Sequence, residues 1–336
     1  MSGDQTMRAA QVREFGTWAN VSIGEAPKLA PGAGEALIEV HAAPLNFVDL
    51  IVVAGKYQFL PKLPFTPGKG PAGVVREVGE GVTNVKPGDR VLAMAEIGGY
   101  AEYCVAPAAH CYPLPDTLSF VDAGAMSLVF DTSWFALRER ARIAPGETVL
   151  VLGASGGVGE AAVQLAKAMG AKVLAGVSRP ETHAAARAAG ADEIIDLSRE
   201  NINDSLRDQV FAVTGKRGAD IVIDPLGGDY FDAALRALAW RGRLVVIGFA
   251  AGRIPSVKAN YLLVKNIEVS GLQISDYRKR RPEQVAECYR EIFDFYAAGK
   301  IRPPRVTTLP LGEASTGLRM IEERKAAGRV VLLPRG

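Results

Sequence analysis

The segment from Val149 to Gly159 reads Val-Leu-Val-Leu-Gly-Ala-Ser-Gly-Gly-Val-Gly, an apolar run followed by a glycine-rich turn. Apolar residues then continue at helical spacing, at Ala162, Leu165 and Met169. A strand, a glycine-rich turn and a helix in this order are typical of dinucleotide-binding domains, because the free N–H groups and positive dipole end of the helix face a pyrophosphate. The candidate binding residues of this turn are Ser155, Gly156, Gly157, Val158 and Gly159.

The glycine pattern is imperfect, since its first position is Ala154 and only Gly156 and Gly159 follow the usual spacing. Taken alone, it could be a tight strand-to-helix turn that binds no ligand. The six predicted strands of this region lie at residues 149–152, 172–177, 193–197, 221–223, 244–247 and 267–269. Because helical stretches separate several of them, they predict an α/β fold with a doubly wound, parallel six-stranded sheet, which favours the nucleotide-binding interpretation.

The residues after the later strands are the next candidates, because ligands of an open α/β sheet lie beyond the carboxyl ends of its strands. Asp224-Pro-Leu-Gly-Gly228, Ile247-Gly-Phe-Ala250 and Gly271-Leu-Gln-Ile274 occupy these positions. Their small residues allow the backbone to approach a flat ring. The candidate cofactor-binding residues here are Leu226, Gly227, Gly248, Phe249, Ala250, Leu272, Gln273 and Ile274.

The end of the second strand indicates which dinucleotide is bound. An NAD-binding domain places Asp or Glu there, about 20 residues after the glycines, to bind the ribose hydroxyls. This chain has Ser178 and Arg179 instead, and a guanidinium suits the 2′-phosphate of NADPH. Charge-assisted hydrogen bonds are worth about 1.5–3 kcal/mol, so we expect a roughly 10- to 100-fold preference for NADPH over NADH. The alternative is that Arg179 is a solvated surface charge and both cofactors are accepted.

The first third of the chain has a different pattern. Residues 8–118 predict short strands broken by Gly and Pro turns, such as the alternating Ala36–His41 and the turn Lys86-Pro-Gly-Asp89. Near the C-terminus, Arg329–Leu333 is also strand-like and needs a partner sheet. We expect it to join the β-rich first part, so that the α/β domain is inserted into a β domain.

Composition excludes several classes of protein. The 336 residues include 39 basic and 37 acidic side chains, and the net charge of +2 gives no overall attraction to nucleic acid or anionic membranes. Three cysteines are too few for a disulfide framework. No apolar run reaches the ~18 residues of a membrane-spanning helix, and the N-terminus lacks a signal-peptide pattern. We therefore expect a cytoplasmic protein without a membrane partner.

Further motifs along the chain point to one family. They are Pro44-Leu-Asn-Phe-Val-Asp49, Pro67-Gly68, Ala72-Gly-Val-Val75, Val78-Gly-Glu-Gly-Val82, Gly88-Asp-Arg-Val91, Gly98-Gly-Tyr-Ala-Glu-Tyr103, Gly153-Ala-Ser-Gly-Gly-Val-Gly159 and Gly328-Arg-Val-Val-Leu332. With these motifs, the chain resembles the zinc-independent quinone oxidoreductases, the zeta-crystallin-like group of the medium-chain dehydrogenase/reductase superfamily. The motifs are specific for fold and cofactor but not for substrate, since the group includes quinone, enone and acrylate-type reductases.

The resemblance implies a domain organisation and an activity. It implies a GroES-like β-barrel domain at residues 1–127, completed by residues 272–336, and a Rossmann domain at residues 128–271. The implied enzyme is a homodimer that transfers a hydride from NADPH to a quinone without zinc. An NADPH-dependent reductase of enones or acrylate-type alkenes is the alternative activity. An NADPH-binding sensor or an RNA-binding protein with little turnover is the alternative of another class.

The resemblance also assigns roles to single residues. It places Asn46, Tyr57 and Thr132 beside the nicotinamide. Of these catalytic candidates we expect Tyr57 to be the proton donor, Asn46 to position the nicotinamide or the acceptor carbonyl, and Thr132 to support them. For Tyr57, the alternative is that its side chain only packs over the ring. The same resemblance puts Phe249 and residues 272–274 along the other side of the nicotinamide. Arg329 is a further cofactor-binding candidate.

Three positions depart from the family pattern. Thr182 replaces a lysine that many relatives carry near the 2′-phosphate, which leaves most of the electrostatic role to Arg179. Gly70 stands where relatives usually have Glu, and the neighbouring Lys69 either aids catalysis or faces solvent. Asp131 lies in a normally apolar stretch and has no assigned role.

Zinc-dependent members of the superfamily hold their metal with Cys, a His-Glu pair and a further Cys or Asp. The corresponding positions here are Asn46-Phe-Val48 and Gly68-Lys-Gly70. Cys104, His110 and Cys111 are close in sequence, but neighbouring strand residues point to opposite faces, so we expect no metal site.

Arg278-Lys-Arg-Arg281 is the strongest charge run of the chain. It could contact RNA, whereas a solvated loop is the simpler interpretation of such a run. We therefore expect a small-molecule quinone or activated alkene as the partner rather than a nucleic acid.

Overall fold

The computed structural model describes residues 6–336. Residues 1–5, at the start of the predicted first domain, lie outside the described residues. The strands are β1 (Thr6–Val12), β2 (Val21–Pro27), β3 (Glu35–Leu45), β4 (Ala72–Val78), β5 (Arg90–Ala93), β6 (Tyr103–Pro107), β7 (Cys111–Pro113), β8 (Thr148–Leu152), β9 (Lys172–Val177), β10 (Glu193–Asp196), β11 (Ala219–Asp224), β12 (Leu238–Val246), β13 (Glu268–Gly271), β14 (Val306–Pro310) and β15 (Arg329–Leu333).

The α-helices follow the same order along the described residues. They are α1 (Phe47–Val53), α2 (Phe120–Met126), α3 (Val129–Phe135), α4 (Gly157–Ala168), α5 (His183–Ala188), α6 (Ile202–Val213), α7 (Gly228–Ala237), α8 (Ala259–Lys265), α9 (Ile274–Arg280), α10 (Pro282–Ala297) and α11 (Ala314–Glu322). Within the part of the chain that the structure describes, no helix is long and apolar enough to cross a membrane.

The chain divides into two compact units. The first contains the described residues up to Leu128, together with Arg278–Tyr289 and Pro303–Gly336, and the second contains Val129–Tyr277 and Arg290–Arg302. The sequence predicts residues 272–277 and 290–302 in the first domain, but they cluster with the second unit. The contacts responsible include a hydrogen bond from Trp134 Nε1 to Glu291 Oε2 of 2.5 Å.

The second unit is built on the predicted sheet. Six parallel strands lie in the order β10-β9-β8-β11-β12-β13, which confirms the doubly wound arrangement. All five residues of β8 are buried, as is usual for a central parallel strand. The order reverses between β8 and β11, the point at which such sheets bind their ligands.

Apolar side chains from the helices cover this sheet. Leu206 and Val210 of α6 and Phe231 of α7 are fully buried, and they belong to one core cluster with Leu150 of β8 and Val222 of β11. Burial of side chains of this size stabilises the unit by roughly 1.5–3 kcal/mol each. The core therefore fixes the strand ends from which the candidate cofactor residues project.

The first unit contains a seven-stranded sheet and a two-stranded ribbon. The larger sheet runs β14-β15-β3-β4-β5-β7, with β6 also paired to β3, and β1 pairs with β2. The C-terminal strand β15 pairs antiparallel with β3, with Val330 opposite Leu45. This confirms the prediction that the end of the chain completes the β-rich first part.

Candidate active site

The glycine turn of the second unit follows β8 and begins α4. A Cβ atom at Gly159 would lie 2.2 Å from the carbonyl oxygen of Gly153 and 2.7 Å from the Cα of Ala154. Only glycine therefore allows the first turn of α4 to pack this closely on the loop. Gly153 itself has φ of +61°, a left-handed conformation that glycine adopts at little cost.

The turn combines exposed backbone with the start of a helix, and the N–H of Gly156 donates to the carbonyl oxygen of Gly153 at 3.0 Å. Ser155 and Gly156 are exposed, and α4 begins at Gly157 with Gly156 as its N-cap. The first N–H groups of a helix have no acceptor within it, and they lie at the positive end of its dipole. The predicted residues Ser155 to Gly159 thus form one short arc that suits a pyrophosphate.

Thr132 lies on α3, which is joined to this arc. The hydroxyl of the neighbouring Ser133 donates to the carbonyl oxygen of Val158, at 2.9 Å. Asp131, the unexplained acid of the sequence, is buried, and its Oδ1 accepts from the backbone N–H of Thr132 at 2.9 Å. Within the second unit, Thr132 is therefore held on the helix that contacts the glycine turn.

Ser178 and Arg179 follow β9 directly beside the glycine turn. The backbone N–H of Ala154 donates to the carbonyl oxygen of Gly176 at 3.0 Å, which ties the turn to the end of β9. The Arg179 side chain is 53% exposed, and the carboxylate of Glu181 lies 3.9 Å from it. Thr182, the departure from the family pattern, donates its hydroxyl to the carbonyl oxygen of Arg179 at 2.6 Å.

Asp224 organises the next strand end. One of its carboxylate oxygens accepts from the backbone N–H groups of Leu226 and Gly227, each at 2.8 Å. The carboxyl is buried, and this burial raises its pKa from 3.8 to about 6. The sequence included Asp224 in a motif but gave it no role. An acid at a strand end before Pro-Leu-Gly-Gly is a turn-forming signal from which the role of Asp224 could have been predicted.

The remaining strand-end candidates lie beside this turn. A Cβ atom at Gly227 would meet the ring of Phe249 at 2.9 Å, and the Phe249 side chain is 41% exposed. Leu272 continues the pairing of β13, because its N–H donates to the carbonyl oxygen of Val246 at 3.0 Å. Gln273 accepts from the backbone N–H of Asp276 at 2.7 Å and so caps α9. Gly248 and Ala250 are half-buried and Ile274 is buried.

In the first unit, Asn46 is part of a buried polar network. Asp49 Oδ2 accepts from the Asn46 backbone N–H at 2.9 Å and from the Tyr100 hydroxyl at 2.7 Å. Arg329 donates to Asn46 Oδ1 at 2.7 Å and to the carbonyl oxygen of Ala125 at 3.1 Å. These bonds fix the Asn46 amide, and they make Arg329 a support for Asn46. Whether Arg329 also binds the cofactor stays a prediction.

Burial changes the acidity of two members of this network. It raises the pKa of Asp49, against the lowering effect of the hydrogen bond from Tyr100 and of the Lys69 charge. It also raises the pKa of Tyr100 well above 10, and the Asp49 carboxylate adds to this effect. Sequence reasoning missed Asp49 and Tyr100, although Asn46 and Asp49 have the spacing of an N-cap and its N3 partner.

Tyr57 lies near a second charged group in the same unit. The Lys69 ammonium is 5.4 Å from the centre of the Tyr57 ring, and Lys69 is 5% exposed. It forms an ion pair with Glu96, whose other oxygen accepts from Arg278 at 2.9 Å. Solvent exposure, one of the two interpretations of Lys69, is therefore wrong.

The same contacts correct the interpretation of the basic run. Residues 278–280 lie in α9 rather than in a solvated loop, and Arg278 is only 2% exposed. Lys279 lies 4.4 Å from the centre of the Phe59 ring. Glu96, a partner 182 residues away in sequence, is what draws Arg278 into the protein.

The cysteine region contains no metal cluster. Among residues 6–336, no group of three or more His, Cys, Asp or Glu side chains could hold a metal ion. Burial raises the pKa of both Cys104 and Cys111 to about 12, and His110 Nε2 is 3.0 Å from the carbonyl oxygen of Arg278. Thiols of this kind are unreactive.

Two family models match the chain, the alcohol dehydrogenase GroES-like domain at residues 32–116 and the zinc-binding dehydrogenase at residues 157–291. A similar protein is the quinone oxidoreductase-like protein 2 homolog of Nematostella vectensis. It is 38% identical over 304 residues, which are 90% of this chain and 82% of that protein.

Two solved structures are similar over nearly the whole chain. The quinone oxidoreductase of Pseudomonas syringae pv. Tomato DC3000 has a TM-score of 0.90 at 32% identity, covering 98% of this chain and 100% of that chain. A mycobacterial protein complexed with NADPH has a TM-score of 0.89 at 32% identity, with the same coverage of 98% and 100%. These matches confirm the GroES-like and Rossmann parts of the fold and a nicotinamide cofactor. The chain belongs to the quinone oxidoreductase-like oxidoreductases of the medium-chain dehydrogenase/reductase superfamily.

Proposed function

We propose that this protein is an NADPH-dependent reductase of quinones that works without zinc. The observation that carries the proposal is the position of Ser178 and Arg179, at the end of β9 and tied to the glycine turn through Ala154 and Gly176. An NAD-binding domain would have a carboxylate here. The similar structures named for quinone oxidoreductase and for an NADPH complex support the same choice.

The residues of the second unit fit the cofactor. The N–H groups of Ser155 and of residues 157–159 would hold the pyrophosphate, and Ser178 and Arg179 would hold the 2′-phosphate through charge-assisted hydrogen bonds. Phe249 and Leu272 would lie along the nicotinamide. When bound, NADPH supplies a hydride from C4 of its nicotinamide.

The first unit would supply the groups that handle the acceptor. Addition of one hydride and one proton converts a quinone to a hydroquinone, so a proton donor must serve the acceptor oxygen. Tyr57 is our candidate for this donor. Asn46 would position a carbonyl, because Arg329 donates to its Oδ1 and fixes the amide, and its Nδ2 lies 3.3 Å from the carbonyl oxygen of Pro44.

A positively charged side chain at a position that corresponds to a zinc ligand of relatives supports zinc independence. Two positions that correspond to zinc-holding residues of relatives carry Asn46 and Lys69 in this chain. Lys69 is buried as an ammonium beside Glu96. A fixed positive charge opposes binding of a divalent cation nearby. Turnover that survives dialysis against a strong chelator is expected.

The test is an acceptor panel with purified protein. We expect rapid oxidation of NADPH with 1,4-benzoquinone or 9,10-phenanthrenequinone and slower oxidation of NADH. Turnover with enones alone would instead assign the alkene reductase activity. Tight NADPH binding without turnover on the whole panel would assign the sensor class and overturn the proposal.

A homodimer is part of the proposal. Leu263 and Val264 of α8 are 79% and 76% exposed, and β13 forms an edge of the sheet in the second unit. An open strand edge beside exposed apolar side chains is a surface that proteins usually cover. A second copy of this chain is the occupant we propose.

A further inference from the structure

We propose that Lys69 is a positioning residue for Tyr57, and that its buried ammonium holds the Tyr57 ring in the orientation used for proton donation. The inference deepens the proposed reductase function and depends on it for the catalytic readout. Neither the resemblance nor the similar proteins assign a role to Lys69.

The backbone turn around Lys69 is built so that the side chain enters the protein. Gly68 and Gly70 have φ of +103° and +66°. A Cβ atom at Gly68 would lie 2.3 Å from the Tyr100 ring, and one at Gly70 would lie 2.0 Å from the Ser127 hydroxyl. Glycines on both sides therefore allow a sharp turn in a crowded region, with Lys69 at its centre.

The ammonium is held on one side and meets the aromatic ring on the other. Glu96 pairs with it as a carboxylate, and the centre of the Tyr57 ring is 5.4 Å away. A cation at this distance is attracted to the electron-rich face of the ring, and removal from water strengthens the attraction. Tyr57 follows α1, in a segment whose residues Phe59 and Leu60 are exposed. The contact with the Lys69 ammonium restrains the Tyr57 ring.

Stability alone does not account for a lysine at this position. A buried ion pair is often no more stabilising than apolar side chains of similar volume, because both ions lose their hydration. Glu96 also has Arg278 as a partner at 2.9 Å and does not depend on Lys69 for a counter-charge. A methionine would fill the same space at lower desolvation cost. Besides Glu96, the charge acts on two neighbours, the buried Asp49 carboxyl and the Tyr57 ring, and of these only Tyr57 is a candidate proton donor.

The first test is a set of kinetic variants. In Lys69→Met we expect kcat to fall about 30-fold, the size of one desolvated cation–π contact, while KM for NADPH stays within about twofold. Lys69→Arg keeps the charge and is expected to recover kcat to within about threefold. Lys279→Met, which removes an exposed lysine above the Phe59 ring, is the matched control and should be unchanged.

A double-variant cycle shows whether Lys69 acts through Tyr57. In the Tyr57→Phe background, Lys69→Met is expected to cause less than about twofold further loss of kcat. A full additional loss in that background would show that Lys69 acts elsewhere and would overturn the proposal. Wild-type kcat in Lys69→Met would overturn it as well.

A second readout does not depend on turnover. The chain has nine tyrosines, and labelling with 3-fluorotyrosine gives each a ¹⁹F NMR signal. The signal missing from Tyr57→Phe belongs to Tyr57. We expect it to shift or broaden in Lys69→Met, to return in Lys69→Arg, and to be unaffected in Lys279→Met.

An unchanged Tyr57 signal in Lys69→Met would refute the positioning role even in an active enzyme. Absence of turnover in the wild type would refute the reductase function and leave the NMR result to decide the role of Lys69. If Lys69→Met does not fold, Glu96→Gln tests the same contact, because it removes the carboxylate that holds the ammonium. The Tyr57 signal should then move while that of the Lys279→Met control stays in place.

Discussion

The carboxylate of Glu181 lies 3.9 Å from the Arg179 guanidinium, and both side chains are more than half exposed. An exposed pair of this length contributes little, so the guanidinium can turn to a phosphate without losing a strong partner. The hydroxyl of Thr182 is occupied by the carbonyl oxygen of Arg179 and offers no replacement charge. Arg179 is therefore the only charged side chain that we assign to the 2′-phosphate, and the preference for NADPH should depend mainly on it.

For Arg179→Ala we expect KM for NADPH to rise about 10- to 100-fold while KM for NADH changes less than about threefold, because only the 2′-phosphate loses a charge-assisted bond. Steady-state kinetics with both cofactors measures this. Arg187→Ala, an exposed arginine on α5, is the control. Equal losses for NADPH and NADH in Arg179→Ala would contradict the assignment.

Burial of the Asp224 carboxyl group makes the free energy of unfolding depend on pH. Burial raises its pKa from 3.8 to about 6, so between these values the native protein keeps a proton that the unfolded chain has released. The free energy of unfolding should consequently fall as pH rises from about 4 to about 6. The amide of Asn can still accept from the N–H groups of Leu226 and Gly227 without carrying a charge.

Asp224→Asn is therefore expected to be more stable than the wild type at pH 8, by up to about 3 kcal/mol, and to match it near pH 4. Urea denaturation across this pH range measures the difference. Asp232→Asn, a change at a partly exposed acid, serves as the control. A difference that is the same at both pH values would rule out titration of Asp224 as the cause.

At the level of elements, the turn between β8 and α4 depends on Gly159. Alanine normally favours a helix interior by about 1 kcal/mol over glycine, but here its Cβ would meet the Gly153 carbonyl oxygen at 2.2 Å. Overpacking of this kind usually costs about 1–3 kcal/mol. The clash has to move either the turn or the start of the helix.

We expect Gly159→Ala to lower the free energy of unfolding by about 1–3 kcal/mol and to weaken NADPH binding at least about tenfold, because the donors of the turn are displaced. Calorimetry for stability and for NADPH binding tests both. Gly312→Ala is the control, since a Cβ there has open space around it. Unchanged binding in Gly159→Ala would mean that the turn does not hold the nucleotide.

The elements also show what could be predicted from the sequence. The strands of the second unit were predictable because parallel strands are continuous apolar runs, and β9 was predicted with its observed bounds. The burial of Lys69 and Arg278 was not predictable, because both depend on Glu96, which lies 27 and 182 residues away. Charged residues that follow one another in sequence are normally exposed to solvent. They become buried only where the fold supplies an oppositely charged partner.

On the scale of the whole molecule, the candidate residues fall on two units that are formed from interleaved parts of the chain. Asn46, Tyr57 and Arg329 belong to the first unit, and Thr132 and Arg179 belong to the second. The direct bond between Asn46 and Arg329 spans 283 positions in sequence. Only the family motifs, and no local pattern, could have linked them beforehand.

The open edge of β13 leads to a prediction about the oligomeric state of the whole molecule. If a second copy covers Leu263 and Val264, then Val264→Asp should convert a dimer to a monomer, because a carboxylate would be buried without a partner. Light scattering after size exclusion measures the mass. Leu29→Asp, at an exposed apolar position of the first unit, should leave it unchanged. A monomeric wild type would contradict the proposed dimer.

The pairing of β15 with β3 also determines the order in which parts of the protein can fold during synthesis on the ribosome. Strand β3 precedes the second unit in sequence, but its partner at residues 329–333 follows that unit. The whole second unit leaves the exit tunnel in between and can fold while residues 43–45 of β3 still lack their partner strand. A nascent chain stalled shortly before residue 329 would thus have an intact parallel sheet and an unfinished β domain, and chaperones should bind it at the β3 edge.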